Sequence, residues 1–382
     1  MPLFSANVPY AETFQRGVLS LHERLGASTH YTGRGVVIAF IDSGYYMHPD
    51  LGDRILVHAD ASTNHIIEQH EVMTPDDLSW HGQMTSVVAA GSGWESGGRF
   101  KGLASNSRLV LIKITSPRGL VKESDILRGL RWLIDTHVHY GVKVVNLSVG
   151  GDFVSYDPEH PIYKAIRKLV DAGVTVIAAA GNRGHDSLVP PASSPHAITV
   201  GGYNDSNTTE RAQWTAYHND YGTCYDGSTK PDVTAPAVWI ASPILPGSGV
   251  AREAYWLGPL LQSESERGLK RLLTRGYADL GLSLEEAQHP GEHLYAQLQA
   301  RINTHKLIDG KHQHVDGTSV SAAIVTSLVA QMLEANPRLT PAAIHSILLR
   351  TAVPLPDVGR AQQGAGTIHA ANAVLAAVEE QI

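Results

Sequence analysis

Residues 35–42 read GVVIAFID, an apolar run that stops on an acid. It shows no alternation of apolar and polar positions, so a strand built from it is covered on both faces, as inside a parallel sheet flanked by helices. The same pattern recurs outward along the chain in RLVLIKI (108–114), VKVVNLS (142–148), VTVIAAAG (174–181) and HAITVGG (196–202). Between these runs lie segments with helical spacing, notably Glu123 to His139 and Pro161 to Ala172. Parallel neighbours need crossover connections. The alternation therefore predicts an α/β fold with a mainly parallel sheet, helices on both faces, and ligands gathered at the carboxyl ends of the strands.

One stretch breaks the rhythm. From about Pro246 to Lys311 the strand-like runs cease, and charged amphipathic segments such as SESERGLKRLLTRG and PGEHLYAQLQARINTH replace them. We read 246–311 as a helical insertion. No internal repeat or low-complexity linker divides the rest, so residues 1–382 are expected to form one domain around it. TPAAIHSILLRTA and IHAANAVLAAVEEQ read as two closing helices, the first opened by Thr340 as N-cap with Pro341 behind it.

Composition narrows the function classes. With 382 residues, 43% of them apolar, the chain can bury a full core. Thirty Lys+Arg against 37 Asp+Glu leave a net charge of -7, and no basic run or aromatic-basic interleaving is present, which argues against nucleic acid as a partner. The start, MPLFSANVPYAETFQRG, lacks a charged segment followed by an apolar one, and no uninterrupted apolar stretch approaches the roughly 20 residues that span a bilayer. No membrane association is expected, and a cytoplasmic location is. Cys224 is the only cysteine, so no internal disulfide can form.

Four residues could carry chemistry. Ser319, in HVDGTSVSAAIVTSLVAQMLEAN (314–336), stands where a small-residue turn enters an apolar helix. A serine there is commonly an N-cap; it becomes a nucleophile only if a base takes its proton and a third group orients that base. Asp42, at the end of GVVIAFID, can orient, or can merely turn the chain before Ser43-Gly44. His81, in SWHGQMTSVVAAG ahead of a helix-like run, can be the base, although it is one of 20 histidines. Asn182, after the run 174–181, can donate to a developing oxyanion, or can be a turn asparagine beside glycine. Taken together they lie at strand ends or helix starts along one edge of one sheet. The order Asp, His, Ser differs from that of the α/β-hydrolases and of chymotrypsin-like enzymes.

These motifs resemble those of the subtilisin-like serine peptidases, from about Val8 to Ala376 apart from the insertion. VVIAFIDSG with HPDL resembles the family's Asp motif, WHGQMTSVVAAG its His motif, AAAGN its oxyanion motif and DGTSVSAA its Ser motif, while KPDVTAP (230–236) matches a further signature. The resemblance implies a three-layer α/β/α subtilisin-like fold and a serine endopeptidase acting through an acyl-enzyme. It assigns Ser319 as nucleophile, His81 as base and then acid, Asp42 as orienter and Asn182 as oxyanion donor, with the Ser319 N–H as second donor. The substrate is then a peptide or protein in extended conformation. Ser148, Val149 and Gly150 in LSVGG, with Gly119 in PRGL on the opposite wall, would pair with it, and the segments around Ser148 to Gly150 and around Ala179, Ala180 and Gly181 would line the pocket for the residue before the cleaved bond. After Asn182 the segment RGHDSLVPPASSP is shorter than the usual family loop, so the pocket floor and the preferred side chain do not carry over.

The resemblance requires no cofactor. The loop GSGWESGGRFKGLAS lacks the asparagine-rich pattern of the family's common calcium site, and Asp50 and Asp53 read as a solvated turn before they read as cation ligands. His312 with His314, and His137 with His139, lack a third ligand at a recognised spacing. Ala323 stands where the family usually has proline, a change in helix entry and not in chemistry. Because VPYAETF resembles the start of a mature family enzyme, no propeptide is expected. Two other readings stand beside the endopeptidase: a non-cleaving relative that binds a peptide or partner, whose usual sign is a lost triad member, and an esterase or transpeptidase on the same machinery.

Overall fold

A computed structural model describes residues 4–5, 17–70, 78–116 and 118–381. The amino-terminal segment resembling a mature start, VPYAETF, and Pro117 of PRGL lie outside the described residues. GVVIAFID supplies β1 (Val37–Asp42), the centre of the main sheet. Next come β2 (Ile55–Asp60), β3 (Ile67–Gln69), β4 (Arg108–Lys113), β5 (Val142–Leu147), β6 (Thr175–Ala179) and β7 (Ile198–Asn204). Short β8 (Thr215–Ala216) pairs with β7, β9 (Gly222–Thr223) pairs with β10 (Thr229–Lys230), and β11 (Val233–Pro236) closes one edge. The order across the sheet is β11-β7-β6-β5-β1-β4-β2-β3. All pairings are parallel except β2 with β3 and β7 with β8, which run antiparallel.

β1 pairs with β4 on one side and β5 on the other, so the strand order reverses there and opens a crevice at the carboxyl ends. Strand residues explain the missing alternation. Ile38 and Phe40 enter the core on one face, whereas Val37, Ala39 and Ile41 enter the core on the other. The first face is covered by α2 (Ser79–Ala90), α9 (Thr318–Ala335), α10 (Pro341–Thr351) and α12 (Ala370–Glu379), preceded in the chain by the short α1 (Leu21–Leu25). The second is covered by α3 (Glu123–Tyr140) and α4 (Pro161–Asp171), whose Ile126, Leu130, Leu133, Ile162, Ile166 and Leu169 are fully or almost fully buried. The result is the three-layer α/β/α arrangement expected.

By length and composition α9 could cross a membrane, but it is buried along most of its length as the core helix of this side. Its buried polar groups fix its position. Ser321 donates to the carbonyls of Ala235 and Pro236, and Gln331 donates to those of Ser28, Tyr31 and Leu103. Thr340 caps α10 through its hydroxyl, which accepts from Ala343 N–H at 3.2 Å, with Pro341 in the first turn as expected; the short α11 (Arg360–Gln363) precedes α12.

Between β12 (Ile240–Pro243) and β13 (His312–Val315) the chain makes its excursion through α5 (Gly249–Leu261), α6 (Glu266–Gly276), α7 (Leu284–Gln288) and α8 (Glu292–Thr304). β12 and β13 pair antiparallel, with Pro243 opposite His312, so the excursion leaves and returns at one place. Its helices close on their own apolar cluster, including Leu257, Leu260, Leu269, Leu273, Leu298 and Ile302. Phe4 joins that cluster and meets Tyr295 edge to face at 5.9 Å.

Candidate active site

Asp42, the last residue of β1, is fully buried. Its Oδ1 accepts from the Ser43 N–H at 2.6 Å and lies 2.6 Å from Nδ1 of His81. Its Oδ2 accepts from the Thr85 hydroxyl at 3.0 Å. A carboxylate held by three donors keeps one orientation, and the imidazole bound to it inherits that orientation. His81 sits in the first turn of α2, which begins at Ser79 and so takes in the histidine and Gly82 ahead of the run that follows them. Thr85 follows one helical turn later on the same face, which is why one carboxylate reaches both.

α2 can lie this close because of Gly82. A Cβ there would collide with the carbonyl oxygen of Gly44 and the ring of Tyr45. Burial opposes charging the His81 ring, but the Asp42 charge and hydrogen bond outweigh it, so the His81 pKa is raised above its ordinary value of 6.5. With Nδ1 committed to Asp42, Nε2 on the opposite edge is left to exchange a proton, and 27% of the side chain remains exposed.

Ser319 lies in the first turn of α9, which packs against α2. The helix has Gly317 as N-cap, at φ 131°, and no side-chain cap. Ser319 is therefore not the N-cap of its helix, the commoner fate of such a serine. Among the described residues no hydrogen bond joins its hydroxyl to His81 or to any other group. Asn182 instead docks on the same turn: its Oδ1 accepts from the Thr318 N–H at 2.8 Å and from the Thr318 hydroxyl at 3.1 Å. The N–H can only donate, which fixes the amide with Nδ2 pointing away from Thr318 and free to donate. Thr318 Oγ1 in turn accepts from the Gly181 N–H at 3.0 Å.

The loop beyond Asn182 is held by Asp220, whose carboxylate accepts from the N–H groups of Arg183 and His185 and pairs with the Arg183 guanidinium at 3.0 Å. Gly181, at φ 109°, must be glycine, because a Cβ would strike that carboxylate. Asp220 and Thr318 escaped the sequence reading: Asp220 stands outside the motifs, and its partners, the Arg183 and His185 N–H groups and the Arg183 guanidinium, are remote in sequence and leave no trace in local spacing. Thr85 did leave a signal, since it falls at i+4 from His81.

The expected substrate-binding residues gather around the same rim. Ser148 donates to the Ser319 carbonyl at 3.1 Å and accepts from Asn146 at 2.9 Å, and Asn146 accepts from Thr326 of α9 at 3.1 Å. Val149 is half-buried and Gly150 exposed, facing Val189, while the Gly151 N–H donates to the Pro190 carbonyl. Ala179 and Gly181 are partly exposed; Ala180 turns into a small apolar cluster with Leu188 and Ala192, so its contribution to a pocket is backbone only. Exposed Gly119 sits in a turn against Leu78, at the start of the His81 helix.

Asp50 is buried, not part of a solvated turn, and accepts from the N–H groups of Gly93 and Glu95 at 3.1 and 3.0 Å, whereas Asp53 is exposed; among the described residues no group of three or more His, Cys, Asp or Glu converges as a metal site. His312 contacts Asp309, His314 the Trp239 carbonyl, and His137 the Ile134 carbonyl.

Comparison with known proteins bears on family and fold. The family model described as "Subtilase family" matches residues 33–370. Serine protease AprX of Bacillus subtilis (strain 168) is 28% identical over 351 residues, covering 90% of this chain and 67% of AprX. Subtilisin E of the same organism is 30% identical over 243 residues, covering 62% of this chain and 56% of subtilisin E. A solved serine-to-alanine mutant of the protease domain of PatA superposes with a TM-score of 0.59 at 18% identity, covering 92% of this chain and 98% of that one, a likeness of fold.

Proposed function

Since the chain belongs to the subtilase family of serine peptidases, we propose that it is an endopeptidase whose nucleophile is Ser319 and whose base is His81. Its substrates are peptides or proteins in extended conformation. The observation that carries the reading is the 2.6 Å contact between His81 Nδ1 and buried Asp42, at the carboxyl end of the central strand.

In the proposed reaction His81 Nε2 removes the Ser319 proton as Oγ attacks the scissile carbonyl carbon. The carbonyl oxygen takes up the negative charge and is held by Asn182 Nδ2–H and the Ser319 N–H, beside the positive end of α9. Collapse breaks the C–N bond, and the imidazolium gives its proton to the departing amine. Water then attacks the acyl-enzyme with His81 again as base, releasing the acid and restoring the hydroxyl. Asp42 stays ionised, holding the ring and stabilising its charge. The open Ser319 hydroxyl is compatible with this, because such contacts are often long before substrate arrives and tighten in the complex. No step needs a cofactor or a metal.

The test is labelling with a fluorophosphonate. Wild type should label and Ser319→Ala should not, and turnover of a peptide substrate should fall by about 10⁶-fold, the scale known for the related subtilisin rather than one derived from this geometry. Label retained by Ser319→Ala would rule out this hydroxyl as the reactive group. A non-cleaving binder, the alternative class, would show neither label nor turnover in the wild type.

A further inference from the structure

A cleft beside the site is shared between the main body and the excursion. It has a volume of about 470 Å³ and is walled by Trp80, Val315 and Asp316 on one side and by Val250, Thr304 and Lys306 on the other. Trp80 precedes His81 and meets its ring edge to face at 5.7 Å, and Val315 and Asp316 lead into the Ser319 turn. We propose that this cleft receives the residue that follows the scissile bond, and that the 246–311 excursion thereby selects an apolar side chain at that position; the proposal rests on the peptidase reading above.

Proton flow decides which half of the substrate lies here. The departing amine collects its proton from His81, so the residue carrying that amine emerges on the imidazole side of the nucleophile, next to Trp80. The other half is placed elsewhere: Ser148, which bonds the Ser319 carbonyl, and Asn182, which docks on Thr318, occupy the flank where the acyl part and its oxyanion sit. A cleft of this size is within the range that takes a side chain and its neighbours.

The lining decides the chemistry. Trp80 is 40% exposed, and Ile244, Leu245, Val250 and Val315 add apolar surface. The ionisable groups around it are already answered. Lys306 pairs with Asp316 and stacks over Trp239 at 5.0 Å from the ring centre, and His305 contacts Glu253 at 3.0 Å. His314 is kept neutral chiefly by burial, its pKa lowered to about 4. Among the described residues lining the cleft no charge is left over to attract an acidic or basic residue, and desolvating one there would carry a cost that an apolar residue avoids.

Two substrates with the same acyl part separate this cleft from the chemistry. A peptidyl methyl ester carries only a methoxy group beyond the scissile bond and leaves the cleft unfilled, whereas an internally quenched peptide with the same acyl part places a leucine or an aspartate in it. Wild type should prefer the leucine peptide to the aspartate peptide by about tenfold or more in kcat/KM. Val250→Arg, which fills the cleft, should lower the leucine-peptide to ester ratio of kcat/KM by about tenfold, and Val250→Ala should keep it within about threefold. Thr304→Trp, on the exposed end of α8, narrows the same cleft from solvent and should lower the ratio in the same direction, so a failure of Val250→Arg to fold leaves the test intact. Fluorophosphonate labelling counts competent molecules in each preparation. Equal preference for the two peptides, or an unchanged ratio in the filling variants, overturns the proposal. Failure of wild type to cleave any of these substrates, or to take the label, would instead sink the peptidase reading beneath it.

Discussion

α9 and α6 are both helices, yet they belong to different kinds of structure. From Val320 to Leu333 every residue of α9 is buried, including Ser321, Thr326 and Gln331, and each of those three side chains donates to a group outside the helix. α6 buries Leu269, Leu273 and Gly276 and leaves a charged face to solvent. The main body thus holds its functional groups by non-local polar contacts reaching across the sheet, whereas the excursion is stabilised mainly by an apolar cluster of its own. Precision of placement is a property of the first region and tolerance of the second. A catalytic hydroxyl belongs at the end of a helix such as α9, and a wall that only needs shape can be built from helices such as α6 and α8.

Substitutions can break or sharpen this contrast. After Ser319→Ala, the largest effect is expected from Asp42→Asn, which removes the group that orients His81 and should lower kcat by about 10⁴-fold, the scale established for triads of this kind. Its pH profile is as informative as its rate. In wild type the raised His81 pKa means kcat/KM falls as pH drops through a midpoint above 6.5, because the base becomes protonated. In Asp42→Asn the midpoint should move down, because the charge that raised it is gone. The stability sign is the reverse of the activity sign. A raised histidine pKa contributes stability that is fully present below 6.5 and is lost as pH rises through the folded value, so urea midpoints should register it on the acid side only.

Asn182→Ala comes next. A fall of about 10²–10³ in kcat with little change in KM, the size known for the subtilisin asparagine, would mark a donor that acts on the transition state. An equal loss in Ser319 labelling by a neutral probe and in stability would show instead that its docking on Thr318 is what matters. Leu298→Ala moves to the second region. Opening a cavity in the excursion cluster should cost about 2–5 kcal/mol there and raise amide exchange across α5–α8 about 30-fold or more, while α9 keeps its protection. Loss of protection in both regions together would erase the distinction between them. The smallest effect is expected from Lys311→Ala. Its ammonium pairs with Glu95 at 2.9 Å but is 56% exposed, so the bridge contributes less than about 1 kcal/mol and the melting temperature should move by no more than a few degrees.

How much of this could be read from residues follows the same division. The central strands, the crossover helices and the positions of Asp42, His81, Asn182 and Ser319 were legible, because runs covered on both faces and glycine-flanked turns at strand ends leave local patterns. The cap on α10 was legible for the same reason. Thr318 holding Asn182, Asp220 bracing the loop beneath it and the Ser148 link to Ser319 were not, because each joins residues remote in sequence through backbone groups. β2 was also missed: ILVHAD is short and mixed, and its place beside β4 is decided by pairing. The excursion was legible as helical, but its shared cleft was not, since neither wall alone resembles a site.

The antiparallel rungs that bracket the excursion have an evolutionary meaning. Because Pro243 and His312 face each other, anything from a tight turn to a multi-helix module can be spliced between them without stretching the sheet, and each doubling of that length adds only about 0.6 kcal/mol of closure entropy. The junction behaves as a socket: what is plugged into it can grow or shrink while the Ser319 turn, just beyond β13, keeps its place.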